Sequence, residues 1–184
     1  MKNLIAQITD KGRVSRNIRL KYFGDKSFAE IRDWLEENGL DRHMAIELTS
    51  TEIAIQVPDG ILLQVRSADT NQLGMWGGVL EHGETPVDGA LRELYEETGL
   101  VITRDDLMFI ETNKHQHKYA NGDIAFFKSY RFVIRFEEEI SKLKLDFESN
   151  GFRVISSIEE VANVLSHQQN FLIKLLREPN YQGE

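Results

Sequence analysis

Residues 78–100 read GVLEHGETPVDGALRELYEETGL. The second half has the marks of a helix with defined ends. Thr85 suits the N-cap with Asp88 three residues on, Pro86 suits the first helical position, and Gly99 suits the residue that closes the helix. Val87, Ala90, Leu91 and Leu94 form one apolar stripe, and Glu93, Glu96 and Glu97 fill the adjoining sector. Residues i, i+3 and i+4 share a helix face, so Glu93 and Glu97 repel one another unless something positive lies between them. Arg92 can pair with Glu96, but one arginine does not neutralise three glutamates. Clustered carboxylate oxygens suit Mg²⁺ or Mn²⁺, which take hard ligands and fill their remaining positions with water and phosphate.

The chain around this segment has 184 residues, 41% of them hydrophobic, enough for one core. No stretch approaches the length of a membrane span, and the N-terminal apolar run is too short and too soon charged for a secretory signal, so the expected location is cytoplasmic. With no cysteine, thiolate catalysis, disulfides and cysteine-based zinc sites are excluded. His115 and His117 form an H-x-H pair that shares one face if it lies on a strand, a metal site lacking an obvious third ligand. The net charge is −8. It is unevenly spread: Lys2, Lys11, Arg13, Arg16, Arg19, Lys21 and Lys26 face only Asp10 and Asp25 in the first 26 residues. That basic arm suits an anionic partner, a solvated strand pair or a dimer contact, while the acidic remainder argues against nucleic acid.

Working outward, residues 3–8 and 13–23 read as two strands around the turn Thr9-Asp10-Lys11-Gly12, with Val14, Ile18, Leu20 and Tyr22 on one face. Ser27 and Glu30 form a capping box for a helix carrying Ile31, Trp34 and Leu35 and stopped at Gly39. Residues 1–42 are thus expected to be a β-β-α extension and a homodimerisation arm. Residues 43–184 form the main domain. There AIEL, EIAIQV and ILLQV read as strands, the last two joined at Pro58-Asp59-Gly60. Further strands are expected near 107–113, 124–136 and 152–156. Ser157 with Glu160 marks another helix, and FLIKLLREP an amphipathic one.

From Gly78, the segment matches the Nudix box, G-x5-E-x7-R-E-U-x-E-E-x-G-U with U aliphatic, at Gly78, Glu84, Arg92, Glu93, Leu94, Glu96, Glu97, Gly99 and Leu100. The sequence therefore resembles the Nudix (MutT-like) family. EIAIQVPDGILLQVRS upstream and HKYANGD with GFRVISSIEEV downstream are also similar to Nudix domains, whereas the first forty residues match nothing in the family. The resemblance implies an α/β fold, the Nudix α/β/α sandwich with a mixed sheet and a loop–helix–loop box. It also implies hydrolysis of a diphosphate in a nucleoside diphosphate linked to a moiety X, with Mg²⁺ or Mn²⁺ as cofactor.

Carried over by position, Glu93 and Glu97 are the expected metal ligands. Glu96, Glu84 and the Gly77 carbonyl are further ones, Glu93 is alternatively the general base, and Arg92 orients a glutamate. A base from beyond the box would come from Glu137, Glu138 or Glu139, with Glu138 the central choice and Asp123 and Glu111 behind it; the bland reading of that run is a polar turn. Many Nudix sequences have Pro-Gly-Gly where this chain has Trp76-Gly77-Gly78, so Trp76 either plugs the core edge or offers a ring to a base. Tyr119 and Phe127 are the other candidate substrate contacts, against a core role. A nucleotide-binding regulator without turnover is the competing reading. The complete glutamate set weighs against it. An isomerase of isoprenoid diphosphates is disfavoured by the absence of cysteine.

Overall fold

The strand Ala45–Val57 (β2) is buried at most of its thirteen positions, as a strand covered on both faces must be. The computed structural model describes residues 1–66, 72–138, 140, 143 and 149–179. Around β2, the elements follow in the order α1 (Lys2–Lys11), β1 (Arg13–Val14), α2 (Arg16–Ile18, continuing into a π-helical turn at Arg19–Phe23), α3 (Phe28–Glu37), β2, β3 (Gly60–Arg66), β4 (Leu73–Gly74), α4 (Pro86–Thr98), β5 (Met108–Lys118), β6 (Ile124–Arg135), β7 (Ser149–Ile155) and α5 (Ser166–Arg177).

These strands make one mixed sheet. Its spine runs β4-β3-β2-β6-β5, with β1 beside the start of β2 and β7 beside β3. β2 and β6 are parallel from Ile46↔Ala125 to Gln56↔Arg135, and β5 runs antiparallel along β6. Alternation along β2 sends Ile53, Ile55 and Val57 into a cluster with Ala90 and Leu94 of α4, and Ala54 into one with Phe171, Leu172 and Leu175 of α5. Helices thus cover both faces, the α/β/α sandwich expected.

The extension departs from expectation. Residues 3–8 are helical, because Leu4 and Ile8 sit four apart and are buried together, and Gly12 closes the helix in the left-handed region at φ 62°. Of residues 13–23 only Arg13–Val14 is a strand, and Ile18 and Phe23 face inward from helical turns. The helix from Ser27 is as read, capping box included, and the chain beyond it turns at Gly39 with φ 71°. All three helices pack on Ile46, Leu48 and Ala125 at the start of β2 and β6. Two other readings change: AIEL and EIAIQV are one strand, running through buried Thr49, Ser50 and Thr51, and Ser157-Glu160 opens a 3₁₀ turn, Glu159–Asn163, not a helix. No helix among the described residues is long and apolar enough to cross a membrane.

Candidate active site and its sheet-through network

Helix α4 forms where the sequence places it. The amide of Asp88 donates to the Thr85 hydroxyl (3.2 Å), Pro86 takes the first turn, and Gly99 ends the helix at φ 70°. Ala90 and Leu94 pin it to the sheet. Its other flank faces the segment Trp76–Leu80, which runs beside β2 through Ile53 N to Trp76 O (2.7 Å) and Thr51 N to Gly78 O (2.9 Å).

Three glycines set the spacing between helix and loop. A Cβ on Gly78 would lie 2.5 Å from Oε1 of Glu93, so the missing side chain is the cradle in which that carboxylate sits. Gly77, at φ 121°, adopts a conformation other residues avoid, and its missing Cβ would collide with the Thr51 carbonyl. Gly89 lets α4 approach Leu80 and Glu84.

Arg92 is the counter-charge of the cluster. Its Nε and Nη2 donate to the two oxygens of Glu84 (2.8 and 3.0 Å), and Nη1 donates to Glu93 and Glu96 (2.9 Å each). Hydrogen bonding to Arg92 holds the Glu84 carboxyl below its ordinary range, and Arg92 itself is held firmly protonated, chiefly by Glu84. Burial pushes the Glu93 carboxyl up, against the pull of Arg92. Glu97 lies deeper, at 8% exposure, accepting from the Gly77 amide (2.7 Å) and from Gln64 Nε2 (3.3 Å). Arg92 therefore brings Glu84, Glu93 and Glu96 together, and the Gly77 amide holds Glu97.

The remaining candidates fall elsewhere. Trp76 is fully buried and donates Nε1–H to the Leu62 carbonyl (2.9 Å), so its ring plugs the core and offers no face to a base. Asp123 is buried in an ion pair with Arg32 and accepts from or pairs with His43, joining the extension to the β5–β6 turn. Glu111 pairs with Arg131 (2.8 Å) on the α5 side. Glu137 and Glu138 lie beyond the Gln56↔Arg135 pair. At about 3.3 Å per residue, that pair is itself about 16 Å along the strands from Thr51, where Gly78 docks. Glu139 lies outside the described residues. Tyr119 packs near Phe28 of the extension, and Phe127 is stacked under His115 with ring centroids 4.9 Å apart.

A group unforeseen in the sequence occupies the opposite face of the sheet. Glu52, of the same parity as Ala54, accepts from His167 Nε2 (2.8 Å), Gln168 Nε2 (3.0 Å) and Arg131 Nε (2.8 Å). Burial works against ionising Glu52, but those hydrogen bonds and the Arg131 charge hold its carboxyl at about 2. His115 stacks on His167 at 3.8 Å, and burial, with the nearby charges, lowers it to about 4. His117, the other half of the H-x-H pair, packs on Tyr119 instead. Gln168 also accepts from the Met75 amide (2.9 Å), and Gln64 donates to both the Met75 carbonyl (3.1 Å) and Glu97. Hydrogen bonds thus run through the sheet from Glu52 to Glu97. Only the interruption of an apolar strand by Glu52 hinted at them.

Comparison with known proteins agrees with the fold. A curated MutT-like protein of Streptomyces ambofaciens is 46% identical over 55 residues, 30% of this chain and 36% of that protein. The chain therefore spans about a third of the length of that relative. The NUDIX domain of Shewanella oneidensis NrtR, solved with ADP ribose, superposes with a TM-score of 0.56 at 16% identity, covering 72% of this chain and 88% of that one. A Caenorhabditis elegans Ap4A hydrolase gives a TM-score of 0.53 at 18% identity, covering 70% and 94%. Likenesses at such identities establish the fold. The family model described as NUDIX domain matches residues 49–175, most of the chain, and the protein belongs to the Nudix, or MutT-like, family.

Proposed function

We propose that the protein is a pyrophosphohydrolase that cleaves a diphosphate linkage in a nucleoside diphosphate bonded to a further moiety, with Mg²⁺ or Mn²⁺ as cofactor. The observation that carries this is that Arg92 gathers Glu84, Glu93 and Glu96 beside α4, with Glu93 seated in the Gly78 cradle and Glu97 held by the neighbouring Gly77 amide. The donor set fits the cation: hard oxygen ligands, three of them carboxylates on one helix, beside a loop whose glycines allow close approach. Glu93, Glu97 and Glu96 would hold it, with Glu84 and the Gly77 carbonyl as further ligands. A bound divalent ion neutralises diphosphate oxygens and acidifies coordinated water.

The chain's own residues do the rest. Arg92 fixes the rotamers of Glu84, Glu93 and Glu96 by charge-assisted hydrogen bonds. The Gly77 amide and Gln64 fix Glu97. Glu93 is alternatively the general base, in place of ligating the ion. Phe127, stacked under His115, and Tyr119, packed on Phe28, lie away from this cluster and are not substrate contacts in this reading, whose setting is the cytoplasm. A homodimer through residues 1–42 has less support, since Leu4, Ile8, Ile18, Ile31 and Leu35 are buried on this chain's own sheet.

The test is release of phosphate or mononucleotide across nucleoside triphosphates, ADP-ribose, nucleotide sugars and dinucleoside polyphosphates, with Mg²⁺, Mn²⁺ or EDTA. Turnover of at least one compound that EDTA abolishes is expected. Binding of a compound with a raised melting temperature and no turnover would instead establish a regulator.

A further inference from the structure

We propose that Glu52, His115 and His167 form a binding site for a divalent transition-metal ion, separate from the carboxylates of α4 and on the other face of the sheet. The three residues come from β2, β5 and α5, and each offers a ligand atom within 4.8 Å of the other two. Two imidazoles and a carboxylate are an intermediate set that favours Zn²⁺, Co²⁺ or Ni²⁺ over Mg²⁺. Three protein ligands with an open fourth position are the composition of a site that can take water or a ligand.

The surroundings are those of a held ligand group. The oxygen of Glu52 that faces His167 also accepts from Gln168, and the other oxygen is fixed by Arg131, so the carboxylate is oriented from both sides. Arg131 is shared between two carboxylates, its Nε holding Glu52 and its Nη1 pairing with Glu111. Glu52 is buried while both imidazoles are half-buried, which leaves an approach from solvent on the histidine side. The two rings are stacked with planes 14° apart, so joint ligation turns one ring out of the stack. Uptake of the ion therefore breaks the His115–His167 stack and replaces the hydrogen bond from His167 to Glu52. The hydrogen-bonded path through Gln168, Met75 and Gln64 ends on Glu97, so the ion would sit one network away from α4.

The experiment is equilibrium dialysis of the full chain against Zn²⁺, repeated with Co²⁺ for its visible absorption, in millimolar Mg²⁺ to occupy the carboxylate helix. One equivalent of Zn²⁺ is expected to bind. His115→Ala and His167→Ala should each weaken it by about tenfold or more, and His117→Ala should leave it unchanged. No Zn²⁺ uptake in the presence of Mg²⁺, or equal uptake by the wild type and both site variants, overturns the proposal. Should a variant not fold, the wild-type histidine ring resonances decide. Zn²⁺ must shift those of His115 and His167 and leave His43 and His82 in place, and unmoved signals overturn it equally. The assay reads no turnover, so its failure is distinct from that of the proposed hydrolase.

Discussion

Gly77 and Gly78 are neighbours with different duties, and substitution separates them. In Gly78→Ala the atoms nearest the new methyl are the carboxylate of Glu93, the far end of a flexible side chain that can swing away. The fold should hold, with a melting temperature within a few degrees of wild type, while metal-dependent turnover falls by about tenfold or more as Glu93 leaves its place. In Gly77→Ala the methyl meets backbone at Thr51 and φ is 121°, so the loss is one of stability, about 1–3 kcal/mol from the strained conformation alone, read in a denaturant melt. Trp76→Ala should cost about 3–5 kcal/mol in the same melt, because a fully buried ring is removed. Trp76→Phe should leave the KM for any substrate unchanged, and a large rise in KM would restore a stacking role. The nine box positions were legible through their match to the Nudix box, five of them (Arg92, Glu93, Leu94, Glu96 and Glu97) on α4. Glu52, Gln64 and Gln168 were not, since no local pattern tells a buried polar side chain on a strand or helix from a solvated one.

At the scale of elements, caps were readable and bare apolar spacing was not. Ser27 accepts from the Glu30 amide and Glu30 bonds back to the Ser27 amide (2.8 Å), as the sequence pattern requires. The Ser27 backbone amide first, and its hydroxyl second, hold the Glu30 carboxyl below its ordinary 4.5. Its contribution is therefore complete above about pH 4.5 and is lost as pH falls through the lower folded-state value. Glu30→Gln should be less stable than wild type at neutral pH, and the gap should close as the melt is repeated from pH 5 toward pH 3. A gap that widens on acidification would contradict this. Residues 3–8, by contrast, carry Leu4, Ile5 and Ile8, a set short enough to fit either a strand or a helix. The burial of Leu4 and Ile8 together against the sheet decides for the helix, and that packing is invisible to a local reading. The acidic turn after β6 shows the same limit, since its distance from α4 depends on strand register.

For the whole molecule, the extension and the Nudix core share an apolar contact and a buried ion pair. Ile46, Leu48 and Ala125 pack against α1, α2 and α3, β1 covers the edge at the start of β2, and Arg32 reaches Asp123. Removing residues 1–42 should therefore lower the melting temperature and reduce solubility, and a truncated chain that melts like the full one would show an independent appendage. The role proposed for α4 is to hold a divalent ion. Its most direct test is a Mn²⁺ titration of the wild type and of Glu97→Gln, followed by the paramagnetic resonance signal of the free ion. The expected result is saturable Mn²⁺ binding by the wild type, weakened by about tenfold or more in a variant that melts normally. Equal Mn²⁺ affinity in the two proteins would contradict the assignment of the helix carboxylates as the metal site.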